Sequence, residues 1–302
     1  NTMPQLTYEL NVGITGRLLL NSQPFNYQFT LFKIKQPDFA SNWGKPFIWM
    51  AHSSLHTQQE HWFDEKFAQQ GVGNAGFEPS PLHYFIDNWQ LQSTHAESLF
   101  PLQLTSTAGE VALRLQLNAP QPFVLHGDAG VSKKTQDGKY RSYYYSQPFI
   151  QVEGEITHAN TIHKVKGKGW YDHEWTSQLA DDEALGWDWF SMHFNNGNKL
   201  MAFTMHVDGQ PSHTTGTWIS PDGSSETLTN SALTLTPILT KQVAERDVPL
   251  QWHINIPSRG VNITTEVFKD DQWNASRFPY YEGAIRFSGS HSGEGYMELT
   301  GY

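Results

Sequence analysis

Hydrophobic and polar residues alternate along most of this chain. Asn26–Ile34, Val111–Leu117 and Phe149–Gly154 each change character at every second residue, the period of a strand with one face in the core and one in water. Polar turn signals fall between such runs: Asn21-Ser22-Gln23-Pro24, Gln136-Asp137-Gly138-Lys139, Asn195-Asn196-Gly197-Asn198, Asp208-Gly209 and Pro221-Asp222-Gly223. Short strands joined by turns of this composition predict an all-β sandwich or barrel. Helical candidates are confined to two short stretches, Glu60–Gln70 and Leu239–Glu245. The pattern also repeats. Tyr144-Tyr145, a strand, Gly154 and Gly169-Trp170-Tyr171-Asp172 are echoed by Tyr280-Tyr281, a strand, Gly289 and Gly295-Tyr296-Met297-Glu298. Two related β halves are expected, with the boundary at 176/177 and the acidic stretch Gln178–Ala184 as linker.

One segment stands apart, Gly167 to Trp175. Read as a strand, it sends Tyr171, His173 and Trp175 to one face and Trp170, Asp172 and Glu174 to the other. A proton-transfer group would sit between two rings on one side, and two carboxylates beside an indole on the other. Such groups are costly to bury without partners. They serve either as a hydrogen-bonded junction or as a site. A second aromatic cluster, Gly186–Phe194, puts Trp187, Trp189, Ser191 and His193 on one face. Phe190, Met192 and Phe194 on its other face are expected in the core.

Composition narrows the partners. The net charge of −10 comes without a substantial Lys/Arg cluster, which argues against nucleic acid and anionic membrane. Lys164, Lys166 and Lys168 alternate and are expected on a solvent face. No stretch approaches the length of an apolar transmembrane span. Rings make up 14% of the residues, a proportion that suits barrels and concave apolar sites. The absence of cysteine removes disulfides, thiolate metal sites and thiol nucleophiles, and fits a cytosolic chain or an exported one equally.

Three motifs are set aside. Gly71-Val72-Gly73-Asn74-Ala75-Gly76 has dinucleotide-binding lettering, but Phe77-Glu78-Pro79-Ser80-Pro81 cannot open the helix that chemistry needs. A surface loop is expected. His52, His56 and His61 with Glu60 match no zincin spacing and are read as solvated loop histidines. No G-x-S-x-G elbow occurs, and a dispersed Ser-His-Asp set is not visible in one dimension. No cofactor or metal is expected.

Gly169–Trp175, Gly186–Phe190, Tyr281-Glu282-Gly283-Ala284 and Gly295–Tyr302, with Tyr143–Ser146 and His126-Gly127, resemble the AttH family of bacterial lipocalin-like proteins. That family is related to the carotenoid 1,2-hydratases and more distantly to fungal lipocalin-like hydratases and cyclases. The resemblance spans nearly the whole chain. It implies an all-β fold of two tandem lipocalin- or calycin-like β-barrel domains, here 1–176 and 177–302. It further implies a periplasmic or secreted protein, or a membrane-anchored lipoprotein, associated with ABC-transporter components and often labelled a secreted hydrolase. The hydratases' His-x-Trp pair maps to His173 and Trp175. Their Tyr-x-Asp pair falls on His206-Val207-Asp208, where His replaces Tyr. The chain departs again at Asn11-Val12-Gly13, which precedes Thr15-Gly16 where relatives carry a Trp-Trp-Tyr cluster.

Three functions follow as expectations, one of them an interaction protein with no small ligand, in which the junction between the halves is merely structural. As a hydratase-type enzyme on an apolar, unsaturated lipid or isoprenoid-like ligand, the chain would use His173, Asp172, Glu174 and Asp208 in catalysis. Asp172 would be the acid, and Tyr171, Trp175, Trp187, Trp189 and His206 would line the ligand, with rings facing a developing cation. As a non-catalytic carrier serving a transporter it would need the rings and no acid. The fold alone does not choose between them.

Overall fold

The computed structural model describes residues 7–20, 23–36, 45–176 and 184–302. Gln178–Glu183 of the expected linker, and the turn residues Asn21 and Ser22, lie outside them.

The fold is all-β: two antiparallel, curled, near-barrel sheets follow one another along the chain. The first comprises β1 (Thr7–Leu20), β2 (Gln23–Lys35), β3 (Phe47–His56), β4 (His61–Gln69), β5 (Ala75–Pro79), β6 (Leu82–Ile86) and β7 (Trp89–Ser93). It continues with β8 (Leu102–Ala108), β9 (Val111–Asn118), β10 (Val124–Leu125), β11 (Val131–Lys133), β12 (Arg141–His158) and β13 (Thr161–Trp175). The second comprises β14 (Ala184–Phe194), β15 (Lys199–Val207), β16 (His213–Ile219), β17 (Ser225–Leu228) and β18 (Thr234–Val243). It ends with β19 (Arg246–Ile256), β20 (Val261–Val267), β21 (Trp273–Asn274), β22 (Tyr280–Gly289) and β23 (Gly293–Leu299).

The strand orders match term for term. The first sheet runs β4-β3-β2-β1-β13-β12-β9-β8-β7, then β6 and β5; the second runs β17-β16-β15-β14-β23-β22-β20-β19-β18. In each, the first strand in the chain pairs with the last in the middle of the sheet, and the edge strands are β4 and β5 in the first sheet and β17 and β18 in the second. The internal repeat legible in the sequence is thus a repeat of topology.

Two compact units emerge from packing. Among the described residues, one contains those from 7 to 122 and from 146 to 176; the other contains residues 123–145 and 184–302. The 123–145 segment is tied into the second unit by hydrogen bonds. His126 Nδ1 pairs with Thr217 Oγ1 at 2.8 Å, Thr227 Oγ1 donates to the Gly127 carbonyl at 3.0 Å, and Trp189 Nε1 donates to Tyr144 Oη at 3.1 Å.

Alternation holds in β9, where Val111, Leu113, Leu115 and Leu117 are buried and Arg114 and Gln116 exposed. In β2 it does not: Phe25 to Leu31 are buried on both faces, with Asn26, Gln28 and Thr30 inside. The polar face of β2 is covered, so its alternation marks a strand without marking a wet side. Both helical candidates are strands. Glu60–Gln70 falls largely on β4, which pairs with β3 along its whole length from His61 opposite His56 to Gln69 opposite Ile48. Leu239–Glu245 falls on the end of β18 and the turn after it. Isolated helices of this length are marginal, so ladder pairing prevails. Residues 71–74 form an exposed turn, and Ala75 and Gly76 open β5.

Gly16 and Gly169 face each other across β1 and β13. A Cβ on Gly16 would come within 2.6 Å of the Tyr27 ring, and one on Gly169 within 2.8 Å of Tyr27 Oη. The two bare positions make room for that ring, which is fully buried. Tyr27 Oη has no hydrogen-bond partner among the described residues, and burial pushes its pKa up.

Candidate functional site

The Gly167–Trp175 segment is the end of β13, paired with β1. His173 lies opposite Val12 and Tyr171 opposite Ile14, both wholly buried, so these side chains share the apolar face of the first sheet. Tyr171 is buried and makes an edge contact with Phe100, their centroids 5.7 Å apart. The His173 ring stands between Tyr171 at 6.4 Å and Trp175 at 5.2 Å, roughly edge-on to both. Tyr171 Oη is 3.4 Å from His173 Nδ1. Trp175, 37% exposed, forms the open end of the stripe. Desolvation depresses the His173 pKa to about 4, so the imidazole is neutral near pH 7.

The reverse face carries the carboxylates. Asp172 Oδ1 accepts from Ser146 Oγ at 2.5 Å and from Trp170 Nε1 at 3.0 Å. Trp170 is completely buried, so its indole N–H needs that acceptor. Glu174 lies partly exposed opposite Asn11. Tyr171, His173 and Trp175 are therefore brought together, while Asp172 and Glu174 belong to the other side of the strand. Lys164, Lys166 and Lys168 are exposed.

The other expected residues lie in the second unit. Trp187 Nε1 donates to Glu298 Oε1 at 2.7 Å, and Trp189 Nε1 to Tyr144 Oη. Both indoles are half-buried with their N–H groups engaged. Phe190, Met192 and Phe194 lie in the core of this unit with Leu200, Ala202, Trp252 and Met297. His206 pairs with Asp188, Nε2 to Oδ2 at 2.7 Å. Asp208 is exposed at the β15–β16 turn. Sequence reading missed Asp188, Ser146 and Ser212. The available signal was a carboxylate on the same strand face as Phe190, Met192 and Phe194, which cannot sit there unpaired.

The histidines of β3 and β4 correct another expectation. His52 and His56 are buried on β3 instead of lying in a solvated loop, because β3 is covered on both faces. His52 Nε2 meets Glu65 Oε1 at 3.0 Å, and desolvation outweighs this carboxylate and lowers the His52 pKa. His61 Nε2 meets Ser54 Oγ at 2.9 Å. Among the described residues no three His, Asp or Glu side chains gather as a metal-binding group.

Two curled, near-barrel antiparallel sheets that repeat one strand order define an all-β protein of tandem barrel-like halves. The chain belongs to the AttH-like family, whose model matches residues 14–302. It is similar to the crystal structure of a Nitrosomonas europaea protein assigned to AttH, with a TM-score of 0.87 and 27% identity over 99% of this chain and 93% of that one. It shares its fold with kievitone hydratase from Nectria haematococca, with a TM-score of 0.75 and 18% identity over 96% of this chain and 88% of that one. No curated protein sequence matches.

Proposed function

We propose that this protein binds an apolar, unsaturated ligand against Tyr171, His173 and Trp175 and adds water to it. The observation that carries this reading is the His173 imidazole held between two rings at the end of an apolar face. A neutral imidazole accepts a proton, so His173 is assigned the proton of the incoming water. A phenol such as Tyr171 Oη, the hydroxyl beside it, is too weak an acid to protonate an isolated alkene. The pair suits a double bond conjugated to a carbonyl. Water oxygen bonds to the β-carbon as His173 takes its proton; the electron pair moves to the carbonyl oxygen, to which Tyr171 donates a hydrogen bond. The proton then returns from His173 to the α-carbon, so the net change is one water added. Asp172, accepting from Ser146 and Trp170 on the reverse face, anchors the strand. Glu174 sits beside that anchor at the strand end. The name of the similar hydratase favours this reaction class.

A carrier function is the second reading, favoured by the partial exposure of Trp175 at the end of the stripe. Such a carrier would hand its ligand to ABC-transporter components from the periplasm or as a secreted or lipid-anchored protein.

Native mass spectrometry of the purified protein should detect a co-purified apolar ligand, and the same ligand should quench tryptophan emission. In heavy-oxygen water the enzyme should convert it to a product carrying one labelled hydroxyl, and His173→Ala should abolish conversion while retaining binding. Binding without conversion in the unmodified protein selects the carrier. Quenching undiminished in a Trp175→Ala, His173→Ala double variant would remove the site altogether.

A further inference from the structure

Asp188 sits on the core face of β14, wholly buried. Its Oδ2 takes His206 Nε2 at 2.7 Å and its Oδ1 accepts from Tyr302 Oη at 2.8 Å. With Nε2–H directed at the carboxylate, Nδ1 of the neutral ring presents its lone pair, and Ser212 Oγ is 3.0 Å from it. A hydroxyl, an imidazole and a buried carboxylate therefore form one continuous hydrogen-bond relay. The relay stands on the second unit alone. Its rigid end is built into the sheet: Asp188 lies opposite Leu299, and Gly186 opposite His206. The tail is pinned beside them, because Trp187 N donates to Thr300 Oγ1 at 2.8 Å and Thr300 N to the Trp187 carbonyl at 2.9 Å. Gly186 permits this approach. A Cβ there would lie 2.1 Å from the Thr300 carbonyl oxygen, and its φ of +151° disfavours any side chain. The other end faces solvent, since Ser212 is exposed between β15 and β16 and His206 is part-exposed.

We propose that Ser212, His206 and Asp188 form a second catalytic site that cleaves carboxylic esters through an acyl-serine intermediate. Ser212 Oγ attacks the ester carbonyl carbon while its proton passes to His206 Nδ1. The carbon–oxygen bond to the alcohol breaks, and the departing alkoxide takes that proton. Water then attacks the acyl carbon, His206 takes and returns a proton, and the acid leaves with Ser212 restored. Asp188 and Tyr302 are positioning residues: they fix the tautomer and stabilise the imidazolium that forms in each half. Here Nε2 faces the carboxylate and Nδ1 the hydroxyl, the reverse of the serine-protease order. Both nitrogens belong to one conjugated ring, so the relay works either way round. The Asp188 hydrogen bond raises the His206 pKa against the opposing effect of burial, which makes the ring a better proton acceptor. The geometry needs no group from the β13 stripe, so this site stands or falls independently of the reading given for His173.

The test uses the whole chain with a fluorophosphonate probe and a p-nitrophenyl ester. A fluorophosphonate transfers its phosphonyl group to a general-base-activated serine and releases fluoride. A single adduct mapped by peptide mass spectrometry to Ser212 is expected, together with ester turnover. Ser212→Ala should abolish both with an unchanged melting temperature, since that side chain is exposed. His206→Gln should slow labelling by roughly two to four orders of magnitude. Asp188→Asn should slow it comparably, and far-UV circular dichroism should show the fold retained. Absence of an adduct in the unmodified protein, an adduct on another serine, or equal labelling rates in His206→Gln would each overturn the proposal.

Discussion

At the scale of single residues, the molecule is organised by partners for buried polar groups. Trp170 and Ser146 both donate to one oxygen of Asp172. Removing either leaves a carboxylate short of a donor, so Trp170→Phe and Ser146→Ala should each lower stability by roughly 1–3 kcal/mol in urea denaturation. His126 presents the opposite case. It is fully buried, its ring 4.1 Å from that of Tyr144, and desolvation followed by the nearby Lys134 charge depresses its pKa to about 3. The folded protein resists protonating it, whereas the unfolded chain protonates it near the ordinary value of about 6.5. Its contribution to stability is therefore complete above about pH 6.5 and is lost progressively towards pH 3. His173 adds loss of the same sign down to about pH 4. His206 runs the other way: its raised pKa gives stability at low pH that is lost as pH rises through the folded value. Melting temperatures between pH 7 and pH 4 should fall in the unmodified protein and fall less in His126→Gln. A parallel decline in both would remove His126 as a source of acid sensitivity.

At the scale of elements, β1 and β13 show how packing selects residues. Gly169 is closed to a side chain chiefly by Tyr27 Oη at 2.8 Å and a Val152 methyl at 3.3 Å. Gly169→Ala should cost about 1–3 kcal/mol, the usual range for overpacking a filled core. Tyr27→Phe removes a buried hydroxyl that has no partner among the described residues, and should be neutral or stabilising by up to about 1 kcal/mol. Because the two changes meet at one atom, the double variant should recover most of the loss. Simple additivity in the chemical melts would mean that the ring and the glycine are not in contact. β2 and β4 carry the related lesson on legibility. Their strand-like residues were readable in β2 but masked in β4 by Glu65, Lys66 and Ala68, and only pairing with β3 made β4 a strand.

At the scale of the whole molecule, dividing the chain into domains at 176/177 remains our proposal, and the packing of 123–145 sets its sharpest test. Within the second unit this segment supplies Tyr144 to Trp189 and His126 to Thr217. It also supplies Lys134, 1% exposed, whose Nζ lies 4.4 Å from the Phe203 ring centroid. A fragment of residues 177–302 alone should therefore fold poorly, with broad amide resonances and no cooperative melt. Fusing residues 123–145 to it should restore a cooperative transition. A cooperative melt of the bare fragment would show that the segment adds nothing essential.

The all-β class, the internal repeat and the aromatic stripe of β13 were determined by sequence alone, because strand periodicity and turn chemistry are local and Tyr171, His173 and Trp175 are two residues apart on one strand. The family followed from the same short motifs. The partners were decided by tertiary structure. Nothing local links Asp188 to His206 and Ser212, Asp172 to Ser146, or His126 to Thr217, since each contact depends on strand register and on where a distant turn or tail comes to rest. Register also paired His206 with Asp188 and left the adjacent Asp208 in a solvent-exposed turn. Periodicity tells which face a side chain takes; what lies across that face is fixed only when the sheet curls and its first strand meets its last.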